Sequence, residues 1–469
     1  MKKIKFFILP LCLILLSTFT VLVVNGLTSN KVEGSKGLTY HLSDDGTYYI
    51  VSDYNFGLSD PNLVIPEEHN GLPVKEIANE AFAEKKWLKS VYIPKSIVKI
   101  GHGAFSQTCL ETVYFNAENC QDFDSRNWVF YPDDTGKANI NVVIGKDVKR
   151  IPSRLFYPLD TIPSLNPNVV SITFEEGSNV SSIGDYAFYN LSNVDSLEIP
   201  SSVKKIGKYA FYGNGFETIK FNEGLEEISE HAFDTSKNVK NITLPNSIKL
   251  VGKAAFRNAL LLESISSKST SYTTLEVDTF KYCSNLVNVD LDNITNIKES
   301  AFEACTSLES FDMPNIKVLG DYAFSGCTSL TKIVLDKNLL SIGIGSFENC
   351  TKVNEIIYKA TNLNDLEPAN LAFYNCGSET EGIKVTVTGD VTKVAKRLFL
   401  STSNTVNLAN INEIIIDCQT LTLIDDYAFG YLDASVTYVG TKTKWSNVKV
   451  NIGNNCFNTV MCVKTLEVE

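Results

Sequence analysis

The sequence predicts a single elongated solenoid of stacked coils, although 469 residues would suffice for about three globular domains. A small residue followed by phenylalanine recurs every 22 to 24 residues between Phe188 and Phe347. Each interval also contains a short alternating apolar–polar segment, and several contain an aliphatic residue followed by glycine, such as Ile206-Gly207. A fixed period of this length is typical of repeat architectures, in which a coil buries its apolar face only against its neighbours.

The phenylalanine column runs through most of the chain and predicts the interior of the solenoid. Each small-plus-large pair would fill the inside of one coil. Ala, Thr or Ser precedes Phe82, Phe105, Phe188, Phe211, Phe233, Phe256, Phe280, Phe302, Phe324 and Phe347. The column is continued, at longer gaps, by Phe156, Phe373, Phe399 and Phe429.

Each repeat also predicts one strand and one tight turn. In the coil around Val194, Leu197 and Ile199, apolar and polar residues alternate, which is typical of a half-buried strand. Pro200 follows that strand and stops its pairing, and Gly207 permits a sharp bend. Stacked coils would pair these strands in parallel.

The repeated string resembles the BspA-like leucine-rich repeats, the 23-residue type with an I-G-x-x-A-F signature, over residues 38 to 460. We therefore expect a right-handed leucine-rich repeat solenoid of the α/β type. Its short parallel strands would line the concave face, and about 14 coils would lie between N- and C-terminal caps. The expected divisions are a leader (1–26), an N-terminal cap (27–71), the array (72–435, with irregular coils at 116–168 and 359–420) and a C-terminal cap (436–469).

The first 26 residues are expected to be an export signal or an N-terminal membrane anchor. Lys2, Lys3 and Lys5 precede an apolar run from Phe6 to Val24, which is long for a signal core and just sufficient to span a bilayer. In either case the positive-inside rule places residues 27–469 outside the cytoplasm. The expected location is extracellular, secreted or on the cell surface.

Composition and motifs exclude several classes of function. The 42 Lys and Arg residues against 54 Asp and Glu argue against nucleic-acid binding and against docking on an anionic membrane. Only four histidines occur, far apart, so we expect no histidine-based metal site, and no cofactor motif is present. No nucleophile elbow or P-loop occurs either. We expect no catalysis.

The cysteines predict a structural column rather than a disulfide framework. Five of them stand three residues after a repeat phenylalanine, in a position that elsewhere holds Leu, Asn, Ser or Ala: Cys283, Cys305, Cys327, Cys350 and Cys376. We expect buried thiols there. Two further pairs are the candidates for a bridge, Cys456 with Cys462 and Cys109 with Cys120, and the sequence leaves both open.

The residues that flank the central apolar residue of each strand would point out of the sheet and are the candidate binding residues. Tyr92 and Tyr114 would form an exposed aromatic step, and Asp290 and Asp312 an acidic patch. The alternative is that these are solvated strand positions without a ligand. The full candidate set is Tyr92, Tyr114, Thr173, Glu198, Lys220, Thr243, Asp290, Asp312 and Lys332.

The resemblance implies an extracellular protein of the adhesion type. We expect it to bind an extracellular protein or glycan through the concave face, with membrane contact only through a possible N-terminal anchor. One alternative is a glycan-active enzyme with its site in an irregular segment, where two converging carboxylates would be needed. A passive coat protein is the other. The sequence leaves the oligomeric state open.

Overall fold

The computed structural model describes residues 33–54, 60–132, 138–157, 167–311, 314–400 and 409–463. The expected leader, and Asp312 among the candidate binding residues, lie outside the described residues. Over the described ranges, no helix has both the length and the apolar character needed to cross a bilayer.

The described chain opens with a small mixed sheet that leads into the array. β1 and β2 form an antiparallel hairpin, β2 pairs in parallel with β5, and β4 folds back on β5. The strands are β1 (Leu38–Leu42), β2 (Tyr49–Tyr54), β3 (Asn62–Val64), β4 (Glu68–His69) and β5 (Leu72–Ile77).

Two parallel ladders then follow the stacked coils. The long-strand ladder contains β3 and then one strand from each successive coil, paired in parallel within each sheet. Its further strands are β6 (Ser90–Ile93), β8 (Thr112–Phe115), β9 (Ile140–Ile144), β11 (Val169–Phe174), β13 (Ser196–Ile199), β15 (Thr218–Phe221), β17 (Asn241–Leu244), β19 (Ser264–Ser267), β21 (Asn288–Leu291), β23 (Ser310–Phe311), β25 (Lys332–Leu335), β27 (Glu355–Tyr358), β28 (Ile383–Thr388), β30 (Ile411–Asp417), β32 (Ser435–Val439) and β34 (Val460–Val463).

The short-strand ladder is made mostly of two-residue strands that precede the tight turns. It starts from β5 and is also parallel. Its further strands are β7 (Lys99–Ile100), β10 (Arg150–Ile151), β12 (Ser182–Ile183), β14 (Lys205–Ile206), β16 (Glu227–Ile228), β18 (Leu250–Val251), β20 (Thr274–Leu275), β22 (Asn296–Ile297), β24 (Val318–Leu319), β26 (Ser341–Ile342), β29 (Lys393–Val394), β31 (Leu423–Ile424) and β33 (Lys449–Val450).

Burial follows the predicted alternation along the long strands. In β13, Leu197 and Ile199 are buried while Ser196 and Glu198 are exposed. Each fully buried Leu or Ile side chain contributes about 1.5–3 kcal/mol through removal of apolar area from water. The outward positions carry no such constraint, so they are free to be polar.

A third set of hydrogen bonds joins the tight turns of successive coils. The residues two before and two after the repeat phenylalanine adopt left-handed backbone angles, as Tyr209 (φ 53°) and Gly213 (φ 69°) do beside Phe211. The amides of Tyr209 and Phe211 then donate to carbonyl oxygens of the next coil over 3.1 and 2.9 Å. A left-handed non-glycine residue costs about 1–2 kcal/mol, which these bonds between coils offset.

The phenylalanine rings form one continuous stack from Phe82 to Phe457, with neighbouring centroids 4.7 to 6.0 Å apart. Phe130 and Phe457 belong to it although neither was predicted. Phe130 lies in the segment 116–168, which was expected to be one irregular coil. Because Phe130 and Phe156 are successive members of the stack, that segment supplies two positions to the core.

The expectation of an α/β-type solenoid is wrong, because the structure has almost no helix. The helix of the described ranges is α1 (Lys442–Trp445), a single turn, and a 3₁₀ turn follows at Asn455–Asn458. The left-handed turns take up the chain that helices would occupy. The Trp445 ring packs near the end of the core, with its centroid 5.3 Å from that of Tyr438 and 6.0 Å from that of Phe457.

Candidate functional site

The cysteine column lies in the interior beside the phenylalanine stack. Cys305 and Cys327 are fully buried, and each Sγ donates to the carbonyl of the phenylalanine one coil back, over 3.2 Å. Burial raises the pKa of the Cys327 thiol to about 12 and that of Cys305 well above its ordinary value. The column is thus built of protonated thiols that satisfy turn carbonyls.

Neither of the two candidate bridges is present. Cys120 is a buried free thiol, so it is not joined to Cys109, and Cys456 and Cys462 are partly exposed free thiols. Across the described ranges, no group of three or more His, Cys, Asp or Glu side chains converges in a way that could hold a metal ion.

The predicted aromatic step is in register but is only half-exposed. Tyr92 and Tyr114 lie directly opposite each other on β6 and β8. Burial raises the pKa of Tyr92 to about 12, with Glu67, Glu175 and Asp147 adding to the effect, and burial also raises the pKa of Tyr114. These rings are therefore partly covered by their surroundings, and the expected fully exposed step is not what the structure contains.

The remaining candidates are spread along the outward face of the long-strand ladder. Thr173 is exposed on β11 and donates to the Val142 carbonyl over 3.3 Å. Lys332 pairs with Glu355 on the next strand, at 2.9 Å. The acidic patch expected from Asp290 and Asp312 cannot be assembled from described residues, since only Asp290 is among them.

Three of the candidates meet at one of the interruptions of the long-strand ladder, the one between β15 and β17. Neighbouring strands β15 and β17 belong to separate sheets, although the strands on either side of them stay paired. An open groove of about 640 Å³ lies across this interruption. Lys220, Thr243 and Asp290 line it, together with Asn222, Glu223, Asn241, Asn246, Ser266 and Lys268.

The charged side chains in and beside this groove are paired with one another, although carboxylates outnumber lysines. Lys220 binds Glu198 at 2.6 Å, and Lys268 binds Asp290 at 2.7 Å and Asp292 at 2.9 Å. The hydrogen bond from Lys220 lowers the pKa of Glu198, and the bonds to Asp290 and then Asp292 raise the pKa of Lys268. Glu198 and Lys268 therefore stay ionised over a wider range of pH than they would alone.

Hydroxyl and amide groups occupy the floor between these ion pairs. The hydroxyl of Ser266 donates to that of Thr243 over 3.3 Å, and Ser264 donates to the Asn241 side-chain carbonyl over 2.6 Å. Thr243 therefore keeps a hydroxyl donor and Asn241 keeps its NH₂ group for solvent or a ligand. Thr243 was predicted on this face from the sequence, whereas Asn222, Asn246 and Lys268, which follow the strands, were not.

A second polar cluster, on the turn side, was not predicted. Asp234 is fully buried and accepts from Arg257 at 2.7 Å and from His231 at 2.8 Å. The His231 ring stacks on Tyr209, which in turn stacks on Tyr186. The recurring tyrosine or histidine two residues before the phenylalanine was the available signal. Because its carboxylate is saturated by donors, Asp234 acts as a structural centre that joins adjacent coils.

A cavity in the irregular segment 359–420 is too small and has too few carboxylates for a glycosidase site. The cavity has a volume of about 10 Å³, room for about one water. Glu367 is the one carboxylate among its lining residues, beside Arg397. Hydrolysis of a glycosidic bond ordinarily needs two carboxylates about 5 to 9.5 Å apart.

Three solved structures illustrate the similarity of this chain to bacterial proteins, all at low sequence identity. A leucine-rich repeat protein from Bacteroides ovatus is 18% identical over 76% of this chain and 100% of that one, with a TM-score of 0.41. A leucine rich cell surface protein from Faecalibacterium prausnitzii is 18% identical over 91% and 99%, with a TM-score of 0.37. The pneumococcal vaccine antigen PcpA is 17% identical over 76% and 93%, with a TM-score of 0.45.

The family profile of the BspA type leucine rich repeat region matches six copies over residues 62–166, 165–287, 273–406 and 317–464. The comparison with curated proteins finds no match. The predicted resemblance is confirmed by the profile, which spans most of the chain and coincides with the parallel ladders and the phenylalanine stack. The chain belongs to the family of BspA-type leucine-rich repeat proteins.

Proposed function

We propose that this chain is a surface-displayed or secreted, non-catalytic binding protein. Its ligand would lie along the outward face of the long-strand ladder. The observation that carries this proposal is the groove at the interruption between β15 and β17, where Lys220, Thr243 and Asp290 meet. Binding residues gain precision when a rigid scaffold positions them, and the strands on either side provide such a scaffold.

The extracellular part of the proposal rests on the leader. Lys2, Lys3 and Lys5 followed by an apolar run are typical of export, whether the leader is cleaved or kept as an anchor. An acidic chain with net charge −12 suits an exposed surface protein whose partners are not polyanions. Antibody labelling of intact cells, compared with lysed cells, tests this location. Labelling only after lysis would contradict it.

The proposed shape is a right-handed solenoid of about fourteen coils whose concave face is the long-strand ladder. Residues 27–71 and 436–469 would act as its caps around the array 72–435. Parallel strands joined by such crossovers are almost always right-handed, which supports this handedness. Small-angle X-ray scattering of the purified chain would test the elongated, curved shape.

The binding function is tested by screening the purified chain against extracellular matrix proteins and a glycan array. We expect saturable binding to at least one ligand, weakened by Lys220→Ala combined with Thr243→Ala. The double variant Tyr92→Ala, Tyr114→Ala serves as the comparison on the same face. Retained binding in the first variant would contradict the groove as the site. Absence of any ligand in both panels would contradict the binding function itself.

A further inference from the structure

We infer that the groove between β15 and β17 binds a neutral glycan. This inference rests on the proposed binding function and names its ligand class. The groove, at about 640 Å³, is within the range of about 300–1,000 Å³ of small-molecule sites. Such sites usually have mostly apolar walls, whereas the side chains that border this one are mainly hydroxyl, amide and paired ionic groups. A ligand that fits here would meet hydroxyl, amide and charged groups together with exposed carbon surface.

The charges at the groove argue against an acidic ligand, because two lysines here face four carboxylates, and all of these groups already have partners. The ammonium of Lys220 is held by Glu198 and that of Lys268 by Asp290 and Asp292. Glu223 is likewise engaged, since its carboxylate accepts from the Asn246 backbone amide at 3.0 Å and side-chain amide at 2.9 Å. An acidic polymer would be repelled by the surplus carboxylates, and a cationic peptide would have to displace Lys220 and Lys268 from the carboxylates that they already bind. A neutral ligand displaces neither.

The neutral groups of the groove match a polyhydroxylated ligand. Thr243 and Ser266 on adjacent strands present hydroxyls, and Asn241 and Asn246 present amides, all of which can both donate and accept. A sugar offers the same dual capacity at each hydroxyl, with apolar C–H groups between them. The apolar side chains Ile219, Phe221 and Leu244, which also border the groove, are largely buried and provide only small patches for such C–H groups. A protein anchor side chain would find no deep apolar pocket here.

The test is a glycan array probed with the full chain, followed by titration of any hit by calorimetry. The array carries neutral oligosaccharides beside uronic-acid and sulfated ones. The groove variant is Thr243→Val with Ser266→Ala, which removes two hydroxyls at little change of volume. The matched control, Thr386→Val with Ser435→Ala, makes the same changes on the same face, on β28 and β32.

We expect neutral glycans to bind the wild-type chain and the control variant equally, and the groove variant about tenfold or more weakly. Affinity should change less than about twofold between 0.05 and 0.5 M salt, because no net charge is neutralised. Exclusive binding of acidic glycans or of proteins would overturn the inference while the binding function stands. Neutral-glycan binding that the groove variant retains would also overturn it. No binding by any glycan or protein would overturn both.

Discussion

The phenylalanine stack and the groove belong to the same coils but differ in how strictly the residue at each position is fixed. Every ring of the stack contacts the rings above and below, so each coil must supply a residue of the same shape. The groove is lined by Lys, Glu, Asn, Thr, Ser and Asp, which differ from coil to coil. The interior residues therefore set the period of the repeat, whereas the outward residues can vary from coil to coil and can form a binding site.

The strongest test of this contrast is a break in the stack. Phe256→Ala should destabilise the chain by about 3–5 kcal/mol, because it removes a fully buried ring between Phe233 and Phe280 and leaves a cavity. Urea unfolding would measure this loss of unfolding free energy, provided that its dependence on urea concentration has the same slope as in the wild-type chain. Phe256→Leu, which fills most of the space, should cost much less. A loss below about 1 kcal/mol for the alanine variant would show that the stack is not what couples the coils.

The second-largest expected loss of unfolding free energy comes from the buried cluster of Asp234, His231 and Arg257. Asp234→Ala removes a buried carboxylate and leaves His231 and Arg257 without it, so we expect a loss of about 2–3 kcal/mol in unfolding free energy. Glu226→Ala, which removes an exposed acid of the same coil that pairs with Lys249, is the control and should cost under about 1 kcal/mol. Equal effects of the two changes, measured by urea unfolding, would contradict the structural role given to Asp234.

The thiol column allows a test of burial that leaves the fold intact. Because burial raises the pKa of Cys283 and Cys327 to about 12, little thiolate exists at pH 8 and access is closed. Iodoacetamide should therefore label the partly exposed Cys462 in the native chain and leave the column unmodified, as read by peptide mass spectrometry. In denaturant, iodoacetamide should label the cysteines of the column as well as Cys462. Rapid native labelling of Cys305 would show that the coils open.

The smallest effect expected is that of pH on ligand affinity at the groove. The pKa of Glu198 is lowered from 4.5 by its bond from Lys220, and that of Lys268 is raised from 10.5 by its bonds to Asp290 and Asp292. The charges of Glu198 and Lys268 should thus stay constant between about pH 5.5 and 9.5, and affinity with them. In more acidic solution, protonation of Glu198 removes its pairing with Lys220, and affinity should fall. Calorimetric titration across this range would reveal any midpoint near neutrality, which would contradict the prediction.

Particular elements show how far the sequence predicted the structure. The 22-to-24-residue period led correctly to parallel ladders and to the family, because one buried Phe per coil is imposed by the coil's closed cross-section. Alternation in segments such as Ser196–Ile199 correctly assigned which side chains face outward. Phe130 was missed because its coil departs from the regular spacing and lacks the small residue before it. The helix content was overestimated because left-handed turn residues such as Tyr209 have no distinct composition.

The sequence by itself determined the repeat, the interior columns and the outward positions, since these follow from a period that each coil must satisfy locally. Only the tertiary structure decided that β15 and β17 part, that Lys220, Thr243 and Asp290 share a groove, and that Tyr92 is half-buried. Those properties depend on how each coil packs against the next. That packing is the sum of many weak contacts between residues far apart in sequence, so it cannot be predicted from the repeat period.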